Sequence, residues 1–211
     1  MPRLAPHRWI KALGLASPYG AVIVGVFLFD NAWIAILLYH AILALCVCMV
    51  NRAMVSELKK GFFWSQAFLL GFPALLCGFI IYGFWAYAKT DTADLSTVLH
   101  TYKLDGLAGG LFAVYSILVN PILEELFWRG CWNLSSRKPA FIDLAFAGYH
   151  GLALALILKP VYVIAAIGFL AGVSWLFRYL KQINRGLAIP YIMHLAADIS
   201  IIASVWLLSR N

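Results

Sequence analysis

Two adjacent carboxylates, Glu124 and Glu125, lie at the end of an otherwise apolar segment that reads N-P-I-L-E-E-L-F-W-R-G. A single charged side chain at the centre of a membrane helix costs roughly 3 kcal/mol on insertion scales, so acids in such a place need a reason. Glu125 and Arg129 are four residues apart with the acid first, which is the better orientation for an ion pair within one helix. Glu124 is turned about 100° from its neighbour. The spacing therefore predicts that Glu125 is neutralised within its own helix and that Glu124 is free for another partner.

Two later segments repeat the four-residue spacing with side chains that are capable of acid–base chemistry. Phe146 and His150 share one helix face, and so do His194 and Asp198. A carboxylate that is shielded from bulk water and close to an imidazole can serve as a general base. We predict that these side chains meet Glu124 in one cavity in the cytoplasmic half of a membrane.

Other polar or small residues in the apolar segments receive packing interpretations. His40 is a lone histidine with no motif around it, and Asp143 lies where it favours the N-terminus of a helix through the helix dipole. Phe146 is expected to orient the His150 ring or to line the site. The pair Gly168-x-x-x-Gly172 predicts the close approach of another helix.

The composition is that of a membrane protein. Of 211 residues, 64% are hydrophobic and only 12% are charged, and the mean hydropathy is +0.87. The net charge of +7 does not indicate nucleic-acid binding, because the basic residues stand singly or in pairs between apolar blocks. The four cysteines have no metal-ligand or disulfide spacing.

The chain is predicted to be an all-α, polytopic transmembrane bundle of about seven spans, at about 20 residues per crossing. With the N-terminus in the cytoplasm, twelve of the sixteen Lys and Arg residues fall on the cytoplasmic side, as the positive-inside rule expects. The longest outside segment, 89–106, is predicted to hold a short interfacial helix around 95–99. We expect a single integral membrane domain over 1–211, with the motif-bearing half at about 107–208. The predicted spans are 12–29, 32–50, 63–88, 107–128, 140–158, 161–179 and 187–208.

Taken in order, the three motifs resemble those of the CAAX-protease and bacteriocin-processing (CPBP, or Abi) family, whose members are glutamic intramembrane endopeptidases. The matching segments are E-E-x-x-x-R at 124–129, F-x-x-x-H at 146–150 and H-x-x-x-D at 194–198. The ordered trio is far more specific than any one of its parts. It covers about the C-terminal half of the chain.

The resemblance implies a role for each motif residue. Glu124 would be the general base, holding a water together with His150 and driving it onto a peptide carbonyl. His194 would stabilise the oxyanion, and Glu125 with Arg129 would hold the geometry of the first motif.

Asp198 departs from the family pattern, because some members carry Asn at this place. An ionised Asp only accepts hydrogen bonds. The sequence leaves open whether Asp198 contributes to the oxyanion site or only orients His194.

The leading hypothesis is an intramembrane endopeptidase that acts on a membrane-associated or hydrophobic protein, in CAAX-type, leader-peptide or C-terminal sorting-tail processing. It needs no cofactor. An alternative is a metal-dependent membrane protease in which Glu124, His150, His194 and Asp198 ligate zinc or manganese. A second alternative is a non-catalytic immunity, scaffold or transport protein of the same fold.

The expected partners are a membrane-associated protein or peptide substrate and the lipid bilayer, without nucleic acid. The sequence does not indicate the oligomeric state. The compact chain and its charge pattern favour a multi-pass protein of a prokaryotic plasma (inner) membrane.

Overall fold

The computed structural model describes residues 7–50, 52–132, 134 and 136–210. Apart from an isolated bridge between Lys89 and Leu158, its regular structure is helical. A π-helical segment, Ile23–Leu28, continues α1, and a second, Glu125–Cys131, continues α5; Arg52–Lys59 is a 3₁₀ helix. The α-helices are α1 His7–Val22, α2 Ala32–Val50, α3 Trp64–Ala88, α4 Leu95–Thr101, α5 Gly106–Glu124, α6 Phe141–Leu154, α7 Pro160–Asn184 and α8 Ala188–Leu208.

Six helices in the described residues are long and apolar enough to cross a membrane. They are α1 and α5 with their π-helical continuations, and α2, α3, α7 and α8. The prediction of an all-α, multi-pass membrane protein is therefore confirmed. The fifth of the seven predicted spans, 140–158, is wrong, because its helix is too short to count as a long membrane span. There α6 has only 14 residues, about 21 Å of helix against a hydrocarbon core of about 30 Å. The chain leaves the helix at Leu154 and continues as turns.

The closest helix contact permitted by a glycine is between α3 and α8. A Cβ at Gly78 would lie 2.0 Å from the carbonyl oxygen of Ser200, so only glycine lets the two backbones approach this closely. At Gly168 and Gly172 of α7, a Cβ would meet no atom of the described residues within 4 Å. The predicted close approach at this pair is therefore wrong within this chain.

The segment between α3 and α5 contains the short helix predicted there, α4. The Asp94 carboxylate caps it by accepting a hydrogen bond from the backbone N–H of Thr97 at 3.0 Å. The Thr97 hydroxyl also donates to Asp94, and these bonds lower the pKa of Asp94 from its ordinary value.

The larger apolar core surrounds the π-helical segment Glu125–Cys131, all seven residues of which are buried. Phe127 and Trp128 pack here with Tyr39 of α2 and Phe146 of α6. A π-helical turn shifts the register of the side chains that follow it, and such turns are frequent at functional sites. The core thus holds the two glutamates between α2, α6 and α8.

Candidate active site

Glu124, the last residue of α5, is completely buried. Its Oε1 accepts a hydrogen bond from the Tyr39 hydroxyl at 2.8 Å and a second from the Tyr149 hydroxyl. The Tyr39 hydroxyl in turn accepts one from Trp128 Nε1 at 2.7 Å. Glu124 Oε2 has no hydrogen-bond partner among the described residues. One oxygen of this carboxylate is therefore fixed, and the other is free to engage a further group.

Glu125 forms the predicted ion pair and one further contact. Its Oε1 accepts from Arg129 Nη1 at 3.0 Å, and the two side chains are at most 1% exposed. The same oxygen lies 2.9 Å from His194 Nδ1, a contact that the sequence did not predict. The Arg129 guanidinium also lies 4.3 Å from the centroid of the Phe146 ring, within cation–π range. Glu125 thus joins the first motif to α8.

His194 faces a carboxylate on each side of its ring. Nδ1 contacts Glu125, while Nε2 lies 3.5 Å from Glu124 Oε2 and 3.7 Å from Asp198 Oδ1. Carboxylate oxygens only accept hydrogen bonds, so this arrangement suits a ring that carries hydrogen on both nitrogens. The structure therefore places three of the predicted side chains, Glu124, Glu125 and Asp198, around the ring of a fourth, His194.

His150 lies beside this cluster rather than in direct contact with Glu124. Its Nδ1 is 2.9 Å from the Phe146 carbonyl oxygen, which can only accept, so Nδ1 carries the hydrogen and Nε2 of the neutral ring is an acceptor. The ring centroids of His150 and Tyr149 are 4.0 Å apart, and those of His150 and Phe146 are 4.9 Å apart. Tyr149 is thus the side chain that contacts both His150 and Glu124.

Three residues of the site carried no prediction: Tyr39, Tyr149 and Asn120. Tyr149 precedes His150 directly and Asn120 lies four residues before Glu124, so both positions offered a signal in the sequence. Tyr39 offered only its place beside His40 in an apolar span.

His40 has polar contacts beyond the packing role predicted for it. Its Nε2 lies 3.1 Å from Asn120 Oδ1, and its Nδ1 lies 3.0 Å from the Tyr115 hydroxyl. Only 2% of the residue is exposed. The histidine of α2 is therefore bound to α5 just before the first motif.

Asp143 lies in the first turn of α6, as predicted, and its Oδ2 also accepts a hydrogen bond from the backbone N–H of Ala140 at 2.8 Å. The sequence did not predict its ion pair with Arg178 of α7, in which Nη2 lies 2.6 Å from Oδ2. The Ser174 hydroxyl donates to the other carboxylate oxygen at 3.2 Å. Asp143 therefore holds α6 against α7, apart from the glutamates.

The side chains proposed above as alternative metal ligands do not form a ligand set. Within the described ranges, no three His, Cys, Asp or Glu side chains are grouped so as to hold a metal ion. The contacts of Glu124 and His194 are instead with tyrosine hydroxyls and carboxylates.

Residues 107–200 match the family model described as type II CAAX prenyl endopeptidase Rce1-like. Over this segment the chain is similar to the Rce1-like family. The match runs from α5 into α8 and contains all three motifs, so the resemblance drawn from them is confirmed. No curated protein and no solved structure matches the chain.

Proposed function

We propose that this protein is an intramembrane glutamic endopeptidase that hydrolyses a peptide bond in a membrane-associated or hydrophobic protein. The observation that carries the proposal is the state of the Glu124 carboxylate. Two tyrosine hydroxyls hold Oε1, while Oε2 is buried without a partner among the described residues, 3.5 Å from His194 Nε2. A fixed carboxylate with one uncommitted oxygen is suited to general-base catalysis. The Rce1-like match of 107–200 supports the same reaction class.

In the proposed reaction, Glu124 Oε2 takes a proton from a water molecule whose oxygen attacks the carbonyl carbon of the scissile peptide bond. His150 Nε2 accepts the second hydrogen of that water and orients it, because Nδ1 is committed to the Phe146 carbonyl. The proton held by Glu124 then passes to the nitrogen of the leaving peptide as the C–N bond breaks. Glu124 returns to its carboxylate form.

His194 is proposed to stabilise the oxyanion through its Nε2–H. Its Nδ1–H is held by Glu125, which fixes the orientation of the ring. A charged donor fixed in a buried site stabilises developing negative charge without reorganisation. Asp198 accepts only, so its proposed role is to orient His194 rather than to donate to the oxyanion.

The proposed substrates are proteins with a C-terminal, prenylated CAAX segment, in keeping with the family description. Leader peptides and C-terminal sorting tails are the competing substrates. The proposed setting is a prokaryotic plasma membrane with the N-terminus in the cytoplasm.

The proposed topology keeps seven membrane crossings, although α6 is shorter than a spanning helix. The loop before α6 contacts Arg178 near the end of α7, while Leu158 pairs with Lys89 at the end of α3. Residues 141–158 therefore run between opposite ends of the helices around them.

Cleavage assays in detergent test the proposal. The substrates are an internally quenched farnesylated CAAX peptide, its unprenylated counterpart and a hydrophobic leader peptide. We expect Glu124→Gln to lower the rate by about 10²- to 10⁴-fold, the usual contribution of a general base. Glu57→Gln is the matched control, since Glu57 pairs with Lys181 outside the site. Cleavage by Glu124→Gln at the parent's rate would rule out the glutamic mechanism.

Two further measurements address the alternatives. Activity that survives exhaustive chelation, in protein without bound metal, would exclude the metal-dependent hydrolase. Comparative proteomics of cells that carry the parent or Glu124→Ala would identify the natural substrate as a membrane protein that keeps its terminal segment only with the variant. A proteome identical in both strains would favour the non-catalytic alternatives.

A further inference from the structure

A chain of polar contacts links the second helix to the third motif. His40 Nε2 of α2 lies 3.1 Å from Asn120 Oδ1 of α5, and Asn120 Nδ2 lies 3.2 Å from Asp198 Oδ2 of α8. The other oxygen of Asp198 lies 3.7 Å from His194 Nε2. The Tyr115 hydroxyl is 3.0 Å from His40 Nδ1, at the far end of the chain. This chain of contacts ends at the ring that we assign to the oxyanion.

The hydrogen-bond chemistry of this chain allows one consistent direction. A carboxylate only accepts hydrogen bonds, so the group that faces Asp198 must be the amide nitrogen of Asn120. The amide oxygen of Asn120 then faces His40. That oxygen also accepts only, so His40 Nε2 carries a hydrogen. Nδ1 of the neutral His40 ring then accepts from the Tyr115 hydroxyl. Every donor in the chain points towards an acceptor, which fixes the orientation of the Asn120 side chain from both of its ends.

We propose that Asn120 is a positioning residue for the reaction, which holds the Asp198 carboxylate through its side-chain amide and thereby fixes the Nε2 side of His194. This inference rests on the proposed function of the site. An amide and a carboxylate stand here as a pair, with the amide on α5 and the carboxylate at the last position of the third motif. Asp198 can thus orient His194 although it cannot donate a hydrogen bond.

Exchange of the two groups tests the pair. Asn120→Asp alone sets two carboxylates against each other. In the double variant Asn120→Asp/Asp198→Asn, the hydrogen bond returns with its direction reversed, and His40 Nε2–H still meets an acceptor. We expect Asn120→Asp to lower kcat by roughly 10- to 100-fold with little change in KM, in line with the loss of a hydrogen bond to a charged group. The double variant should recover a large part of that loss.

The matched control is Ser116→Ala, one turn earlier on α5. Ser116 Oγ is buried and has no hydrogen-bond partner among the described residues, so its removal tests α5 without touching the chain of contacts. We expect parental kcat for Ser116→Ala. Losses in Asn120→Asp and Asp198→Asn that simply multiply in the double variant would overturn the proposal, since independent positions behave in this way.

A second measurement does not depend on cleavage. In protein labelled with ¹⁵N-histidine, the ring resonances of His194 should shift in Asn120→Leu, because the released Asp198 changes its contact with Nε2. Asp198→Asn calibrates the size of that shift, and His194→Gln assigns the signals. If Asn120→Leu does not fold, Asn120→Asp and the double variant supply the same comparison.

The two measurements separate failure of the inference from failure of the proposed function. A His194 resonance that Asp198→Asn moves and the Asn120 variants leave unchanged would overturn the positioning role, whatever the activity. If the parent cleaves no peptide, the endopeptidase proposal fails, while a shift in the Asn120 variants still supports the pairing of Asn120 with Asp198.

Discussion

Two buried ion pairs in this protein have the same charges but different surroundings. In the pair of Asp143 and Arg178, both carboxylate oxygens are satisfied. Oδ1 accepts from Ser174 and from Arg178 Nε, and Oδ2 accepts from the backbone N–H of Ala140 and from Arg178 Nη2. Arg178 also donates to two carbonyls of the preceding loop. Each nitrogen of the Arg178 guanidinium and each oxygen of the Asp143 carboxylate therefore has a partner within the protein.

The pair of Glu125 and Arg129, in contrast, has buried polar atoms without a hydrogen-bond partner among the described residues. Glu125 Oε2, Arg129 Nε and Arg129 Nη2 are buried without a hydrogen-bond partner in the described part of the chain, and so is Glu124 Oε2. Buried polar groups are almost always satisfied, and unsatisfied ones reduce stability. One cluster thus joins two helices with its polar atoms paired, while the other retains unpaired polar atoms, which the proposed function assigns to a substrate or to water.

The largest effect is expected for Glu125→Ala, because Glu125 belongs to both the ion pair and the site. Its loss leaves the Arg129 charge buried and frees His194 Nδ1. Removal of one partner of a buried pair costs about 3–5 kcal/mol, and activity should be lost as well. Thermal unfolding in a mild detergent and the cleavage assay measure the two effects.

Glu125→Gln is the matched control, because it retains an oxygen that can accept from His194. It should lose less of both stability and activity than Glu125→Ala. If Glu125→Ala melted at the parental temperature, Glu125 would not be what holds Arg129 in place.

Arg178→Met should cost a similar free energy of unfolding, about 3–5 kcal/mol, since Asp143 is left as an uncompensated buried charge. Catalysis should behave differently. Arg178 contacts neither Glu124 nor His194 in the structure, so kcat per folded molecule should equal that of the parent well below the melting temperature. A fall in kcat at such a temperature would show that the two clusters are coupled.

Much of the architecture could be predicted because a membrane imposes strong local rules. A spanning segment must satisfy its backbone hydrogen bonds within itself, so apolar runs of sufficient length predict helices. Six of the seven predicted spans appear as long helices. The fifth could not be bounded, because its apolar run 140–158 continues past the end of α6 at Leu154 into turns.

The contacts within the site could be predicted only where they lie within one helix. The pair of Glu125 and Arg129 follows from helix periodicity alone. Asp143 and Arg178 are 35 residues apart, and Tyr39 and Glu124 are 85 apart. Such contacts depend on which helices become neighbours and how each is rotated, and neither is encoded in local spacing.

The π-helical segment after Glu124 is a further reason why the side-chain geometry escaped prediction. Regular α-helical spacing assigned Glu124 and Glu125 to different partners, about 100° apart. In the structure the helix changes register from Glu125 onward, and His194 contacts both carboxylates.

Tyr149→Phe should have a smaller effect than the charge variants, and mainly on activity. It removes one of the two hydroxyls that donate to Glu124 Oε1, while Tyr39 remains. A hydrogen bond to a charged group contributes about 1.5–3 kcal/mol, which corresponds to roughly a 10- to 100-fold loss in kcat.

Tyr39→Phe is the comparison for Tyr149→Phe. It also leaves the buried Trp128 Nε1–H without its acceptor, so it should lower the melting temperature more than Tyr149→Phe does. Equal melting temperatures would mean that the Trp128 bond contributes nothing measurable.

The smallest effect on stability and activity is expected when Asp143 and Arg178 are both replaced. The double variant Asp143→Leu/Arg178→Met leaves neither charge of this pair buried, and apolar replacements of a buried ion pair are often close to neutral. The loop carbonyls of Ser136 and Lys138 that Arg178 binds belong to exposed residues, so water can replace it there. The backbone N–H of Ala140 loses its cap, which costs about 1 kcal/mol.

The double variant should therefore unfold at a higher temperature than Arg178→Met alone, with unchanged kcat. Replacement of both Glu125 and Arg129 by apolar residues should abolish activity even where the protein folds, because His194 loses the acceptor at Nδ1. If both double variants kept their activity, the unpartnered atoms beside Glu124 would have no part in the reaction, and the distinction between the two clusters would fail.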